Sequence, residues 1–339
     1  MKTIKREKVV SILVPAYNKP EYLRKTLQSI VEQEYRPLEV VLSDDCSPLS
    51  LEPVVKEFAA FEDDLFAIKY YRQQSNLGVM GNFTFTLDQA TGRYVVPFAH
   101  DNTFVESRFI SEAVAIMEMD SKCGLCVANA IYEDTGKKML KLPENIDAEN
   151  SWVILEGDTF IRLWRRGGLG WTQAVILDKS LARSLGAFEE PFLVNEITAR
   201  KFDLAADNVF AYVFVLSSVG IVGLSGKVVC QVGTPEDSYS RSDQRWNKNR
   251  SKAKFVVFYN IYRADLKGEY ARDVKEMARK QALQYIDFIT DLKILQYYNY
   301  SLDIILLICH SLLRRPGVLL GRVRRRIKVF LGLSKAARM

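Results

Sequence analysis

The chain has 339 residues, 48% of them hydrophobic and 26% charged, with a formal net charge of +6, an ordinary composition for a soluble globular protein of one large domain or two. The charge is uneven: no acid follows Asp303 while nine Lys and Arg do, and taking those nine from +6 leaves −3 for the first 303 residues, which argues against a nucleic-acid-binding body. The five cysteines (46, 123, 126, 230 and 309) are odd in number and scattered, which speaks against a disulfide framework.

The basic start, "MKTIKREKVV", lacks the apolar core and cleavage site of a signal peptide, so a cytosolic chain is expected. Short β-branched runs follow at "VVSILV" (9–14), "LEVVLS" (38–43) and "FAIKYY" (66–71). Between them, Leu23, Leu27, Ile30 and Val31 fall at helical spacing, as do Leu51, Val54, Val55 and Phe58. A third helix is expected over 79–90, before the strand "RYVVPF". This βαβαβαβ order predicts a parallel sheet covered by helices, with ligands bound beyond the carboxyl ends of the strands. The places to look are therefore "PAYN" (15–18), "SDDCS" (43–47) and "AHDN" (99–102).

No dinucleotide glycine fingerprint follows the first strand, and no Walker A sequence is present. "CGLC" at 123–126 has no second ligand pair suited to zinc, and its apolar flanks read as a buried strand. From 255 to 300 the pattern turns helical. "LDIILLICHSLL" (302–313) is apolar but falls short of the roughly 20 residues that span a bilayer as a helix. Beyond Pro316, Leu320, Val323, Ile327, Phe330 and Leu331 form one stripe among arginines, a pattern suited to an amphipathic helix on anionic lipid. A solvated basic tail, or a helix docked on its own protein, is the alternative.

"VSILVPAYNKPEYLRKTLQSIVEQEYRPLEVVLSDDCS" and then "NLGVMGNFTFTLDQATGRYVVPFAHDN" together resemble the nucleotide-sugar half of the family 2 glycosyltransferases. The resemblance implies an α/β GT-A fold: a Rossmann-like, mostly parallel central sheet flanked by helices, with a helical C-terminal extension. Residues 1–225 would be the catalytic domain, with a nucleotide-sugar half (1–104) and an acceptor half (105–225). Residues 226–303 would be a loop plus helical extension, and 304–339 a basic membrane-associating tail.

On the donor side, the resemblance assigns Asp45 to the imide N–H of a uracil or thymine, Pro15, Ala16 and Tyr17 to the pocket wall, and Asn76 and Gly78 to the loop closing over the nucleotide. Asp44 is expected to serve the turn or to support the site from behind, and the alternative is that the pair merely caps the helix that follows. Asp101 aligns with the main metal-binding aspartate of the family's DXD motif. His100 stands where an aspartate is frequent, and Ala99 lacks the carboxylate some members have there. A divalent cation, Mn²⁺ or Mg²⁺, is implied at Asp101 and His100, the imidazole suiting Mn²⁺ better. The alternative is a polar turn with no metal.

For an inverting transfer the family's acceptor base follows a turn resembled by "SLGAFEEPF" (184–192), which makes Asp207 the candidate. Asp203 is its chief rival, with Glu189, Glu190 and Glu196 behind. Trp171, in "WRRGGLGWTQAVI", is assigned to the acceptor side with Glu190 and with Arg245 of "SDQRWNK", which is similar to a QxxRW motif with Ser242 in place of the glutamine.

The expected protein moves one sugar from a UDP- or dTDP-sugar to a hydroxyl of a lipid-linked or other saccharide acceptor. It would work on the inner face of the plasma membrane, in cell-surface polysaccharide assembly. Two rivals stand beside it. A sugar nucleotidyltransferase would carry a glycine-rich basic loop that "PAYNKPEY" lacks. A non-catalytic nucleotide-sugar-binding or scaffold protein is suggested by the degenerate "AHDN".

Overall fold

A computed structural model describes residues 9–144, 146–165, 174–188, 192, 209–235 and 244–285. In chain order the strands are β1 (Val10–Ala16), β2 (Leu38–Asp44), β3 (Phe66–Arg72), β4 (Tyr94–Pro97), β5 (Asn102–Phe104), β6 (Leu125–Tyr132), β7 (Trp152–Glu156), β8 (Val175–Asp178) and β9 (Ile221–Val232). The helices are α1 (Pro20–Val31), α2 (Glu52–Lys56), α3 (Gly78–Gln89), α4 (Phe109–Met119), α5 (Gly157–Arg165), α6 (Lys179–Ser184), α7 (Val209–Ser217), α8 (Gln244–Arg263) and α9 (Ala271–Tyr285).

The sheet runs β3-β2-β1-β4-β8-β6-β9-β5, with β7 also paired to β9. The first four neighbours are parallel, as the βαβ order requires, and β6 and β9 are parallel as well. Strand β8 is antiparallel to both of its neighbours, and β5 and β7 are antiparallel to β9. This is an α/β fold with helices on both faces. The side-chain period of two sends Val10, Ile12 and Val14 into one hydrophobic cluster and Leu13 into another. The first cluster holds Leu23, Leu27 and Ile30 of α1, Val54 of α2 and Phe109 of α4. The second holds Leu87 of α3 and the buried faces of α5 to α9.

Helices α8 and α9 belong to that second cluster, through Phe255, Tyr259, Val274 and Met277. Strand β9 runs across residue 225, where the sequence suggests the catalytic unit ends, and the sheet continues to Val232.

One proline opens the crevice that positions the site. The β1–β4 register ends at Leu13↔Pro97, and its last bond runs from the Phe98 N–H to the Leu13 carbonyl at 2.9 Å. The next donor in a parallel ladder would be the N–H of residue 15, which Pro15 lacks. The two central strands therefore part at their carboxyl ends.

Candidate functional site

Three loops meet at those carboxyl ends. The first follows β1, where Asn18 and Lys19 both take left-handed conformations, with φ of 57° and 61°, before Pro20 opens α1. The second follows β2 and is tied to the first, since the Asp45 N–H donates to the Ala16 carbonyl and the Asn18 N–H to Ser47 Oγ, each at 2.8 Å. The third, between β3 and α3, closes onto the second. Asn76 Nδ2 donates to the Asp45 carbonyl at 3.2 Å, and the Leu77 and Gly78 N–H groups donate to the two Asp45 carboxylate oxygens at 2.6 and 3.1 Å. Gly78 has φ of 78°, a conformation that glycine takes without the Cβ penalty.

The adjacent aspartates have different work. Asp44 is fully buried, and its carboxylate accepts the N–H groups of Ser47 and Leu51 and the Tyr70 hydroxyl, at 2.8, 3.2 and 2.9 Å. Burial pushes its pKa up, but these hydrogen bonds together outweigh it and hold the carboxyl below its usual value. Asp44 thus serves the turn, as expected. Asp45, 4% exposed, holds the third loop. Pro15 and Ala16 end β1, and Tyr17, 46% exposed, stands at the mouth.

The fourth strand delivers "AHDN". The His100 imidazole lies against the backbone of Pro15 and Tyr17, which ties this segment to the first loop. Its Nε2 is buried without a hydrogen-bond partner, as are both polar side-chain atoms of Asn102. Burial lowers the His100 pKa against the pull of Asp101, and burial raises the Asp101 pKa against the pull of His100. Lys19 adds positive charge that favours an ionised Asp101. Among the described residues no group of three or more His, Cys, Asp and Glu side chains is arranged to hold a metal ion. The ligand types at this place are the Asp101 carboxylate and the His100 Nε2, which has no hydrogen-bond partner. That set fits a Mn²⁺- or Mg²⁺-type cation that takes its remaining ligands from phosphate and water.

The fold therefore joins Pro15, Ala16, Tyr17, Asp45, Asn76, Gly78, His100 and Asp101 through a continuous set of contacts. Asp207, Asp203, Trp171, Glu189, Glu190, Glu196 and the tail 304–339 lie outside the described residues, and Arg245 is described only as part of the α8 backbone. Sequence reasoning missed three neighbours. Lys19 stands inside the quoted "PAYNKPEY". Thr26 is a polar residue on the buried face of α1. Gly233 packs so closely that a Cβ there would lie 2.1 Å from the Asp101 carbonyl oxygen. The polar interruption of an apolar helix face was a signal for Thr26, whereas nothing local marks Gly233.

The cysteines of "CGLC" are core residues: Cys123 and Cys126 are 3% and 0% exposed, and a Cβ on Gly223 would lie 2.6 Å from the Cys126 sulfur. No described helix is long and apolar enough to cross a membrane.

Comparison with known proteins gives a match to the Glycosyl transferase family 2 model over residues 11–182, just over half of the chain. A Campylobacter jejuni protein, GalNAc(5)-diNAcBac-PP-undecaprenol beta-1,3-glucosyltransferase, is 36% identical over 155 residues, 45% of each chain. The chain spans less than half the length of the curated relatives it matches. Among solved structures, Staphylococcus aureus TarS 1–349 in complex with UDP-GlcNAc superposes with a TM-score of 0.58 at 15% identity, over 83% of this chain and 72% of that one. The Pyrobaculum calidifontis mannosyltransferase PcManGT, in complex with GDP-Man and Mn²⁺, gives 0.51 at 18% identity over 90% and 80%. At these identities the superpositions speak for the fold.

Proposed function

From a chain that belongs to glycosyl transferase family 2, we propose an inverting glycosyltransferase. It moves a single sugar from a UDP- or dTDP-sugar to a hydroxyl of a lipid-linked saccharide, in cell-surface polysaccharide synthesis. The observation that carries this reading is the convergence of Asp45, the 76–78 loop and the His100–Asp101 pair where β1 and β4 part. In this reading the Asp45 carboxylate accepts the imide N–H of the base, with Tyr17 at the mouth as a face for the ring. Asp101 and His100 hold a divalent cation against the diphosphate, and when bound that cation neutralises charge on the leaving group. Lys19 adds fixed positive charge on the same side. Asp207 takes the proton of the acceptor hydroxyl. Trp171, Glu190 and Arg245 belong to the acceptor side.

The lipid-linked acceptor rests on the composition of 304–339, with its arginines and apolar stripe, and on the undecaprenol-linked substrate in the printed name of the Campylobacter relative. In this reading the chain works on the inner face of the plasma membrane, held by that tail.

The test is calorimetric titration of UDP and of dTDP into the purified chain with Mn²⁺, with Mg²⁺ and with EDTA, followed by turnover of the corresponding nucleotide sugars. Nucleotide binding strengthened by the cation and lost in Asp101→Ala, with turnover lost in Asp207→Asn while nucleotide affinity stays, is the expected outcome. A second reading, a nucleotide-sugar-binding protein without turnover, is favoured by the single carboxylate of "AHDN". It predicts binding with no consumption of donor in the presence of any acceptor.

A further inference from the structure

Strand β5 continues directly from "AHD" and is the last strand of the sheet: one edge pairs with β9, Asn102↔Val232 to Phe104↔Cys230. Its other edge carries backbone groups that must be satisfied once buried. No described strand supplies the partners. Side chains from α1 and the turn after it do.

The buried face of α1 alternates Leu23, Leu27 and Ile30 with Thr26 and Ser29. Thr26 Oγ1 lies 2.8 Å from the His100 carbonyl oxygen and 2.7 Å from that of Asn102. The Phe104 N–H donates to Ser29 Oγ at 3.0 Å, Gln33 Nε2 to the Glu106 carbonyl at 2.9 Å, and the Glu34 N–H to the Ser107 carbonyl at 3.0 Å. Residues 100–107 therefore hang on α1 as they would on a neighbouring strand.

The clamp is tightest around Asp101. Its two flanking carbonyls converge on the single hydroxyl of Thr26, while its own carbonyl meets Gly233, where a Cβ would stand 2.1 Å away. An apolar residue at position 26 would fill the core but leave these carbonyls without their donor, so the hydroxyl serves the packing of β5 on α1 as well as the backbone at Asp101. The hydroxyl's one proton is shared among those two carbonyls and that of Tyr22 at 3.1 Å, and it ties the backbone flanking Asp101 to α1.

We infer that Thr26 is a positioning residue for the Asp101 carboxylate, setting where it stands to meet a divalent cation and diphosphate. The inference rests on the donor-site reading above. Groups that orient a metal ligand without touching the metal typically cost about 10–100-fold in metal affinity when removed.

The test uses the full chain. UDP, dTDP and GDP are each titrated calorimetrically with MnCl₂ and with EDTA, in wild type, Thr26→Val, Thr26→Ser and Gly233→Ala, after circular dichroism has confirmed each fold. Thr26→Val keeps the shape and removes the hydroxyl. It is expected to cut the Mn²⁺-dependent gain in nucleotide affinity about tenfold or more, leave the affinity in EDTA unchanged, and be rescued by Thr26→Ser. Gly233→Ala presses on Asp101 from the opposite side and should give the same selective loss, so the inference stays testable even where Thr26→Val does not fold. Wild-type Mn²⁺ dependence in either folded variant, or equal losses with and without Mn²⁺, would overturn the inference while leaving the donor site standing. A wild-type chain that binds nucleotide with no Mn²⁺ dependence would overturn both.

Discussion

Glu39, the second residue of β2, should govern stability without touching nucleotide binding. It is 5% exposed, and its carboxylate accepts from the Ser11 hydroxyl at 2.5 Å, the Thr91 N–H and hydroxyl at 2.6 and 2.8 Å, the Gly92 N–H at 3.3 Å and Lys69 Nζ at 2.6 Å. It thereby ties together β3, β2, β1 and the turn into β4. Lys69 is 35% exposed and can return to water when its partner is removed, so that pair is discounted. The hydrogen bonds of Ser11 and Thr91 go to a charged acceptor, at roughly 1.5–3 kcal/mol each where buried. Thr91 is exposed and Ser11 keeps its contact with the Gly92 N–H at 2.9 Å, which lowers the sum.

Glu39→Ala should therefore cost about 3 kcal/mol, and Glu39→Gln, which keeps the shape, about half of that. Burial raises the Glu39 pKa, but Lys69, Ser11 and Thr91 together hold it below its usual value. A depressed folded-state pKa gives stability that is complete above the unfolded value near 4.3 and is lost as pH falls through the folded one. Urea unfolding of wild type and both variants, from pH 7 down through about 4, reads both effects. Glu39→Gln should flatten the acid limb. Asp44 lies five residues further along β2, about 17 Å away at strand rise, so nucleotide affinity should match wild type. A Glu39→Ala cost under about 1 kcal/mol, or an unchanged acid limb in Glu39→Gln, would refute the reasoning.

Gly92→Ala should destabilise the same end by about 3 kcal/mol, since the new Cβ would lie 2.4 Å from the Val9 carbonyl oxygen and 2.6 Å from Ser11 Oγ; thermal unfolding checks it. Cys46, with φ of 61°, sits where glycine carries no steric penalty, so Cys46→Gly should stabilise by roughly 0.5–1 kcal/mol in the same assay. Asp45→Asn replaces an acceptor oxygen with an NH₂ group facing the Leu77 or Gly78 N–H. It should weaken UDP binding about tenfold or more, read by calorimetry, with the far-ultraviolet spectrum unchanged.

The first hundred residues were legible because three buried parallel strands and a half-buried fourth leave apolar, β-branched runs, and the helices between them leave 3.6-residue spacing. The three places at strand ends followed from topology, since ligands in such sheets bind there, whereas the 76–78 loop and the donor roles came only with the family resemblance. Beyond residue 100 those signals fail. Strand β5 has three residues directly behind "AHD", too few for a period, and it pairs with Val232 to Cys230 of β9, a contact no local pattern announces. The same long-range pairing brings Gly233 to Asp101. Helix α1 was placed correctly from its leucines, yet its function-bearing face lies in the residues that break the apolar pattern.

"SDDCS" shows where resemblance and geometry divide the labour. Asp44 and Asp45 are chemically identical neighbours. Strand alternation turns the first into the turn, where three donors fix it ionised, and leaves the second just beyond β2, gripping the start of α3. A carboxylate has about four lone-pair sites, and two of those on Asp45 hold the third loop. Under the proposed reading the same carboxylate accepts the imide N–H, so base recognition and loop closure share one group. Occupying it with nucleotide changes the charge density that Leu77 and Gly78 feel. Amide exchange at those two residues should then report nucleotide binding even in an Asp101→Ala variant, because the base end of the site makes no use of the cation.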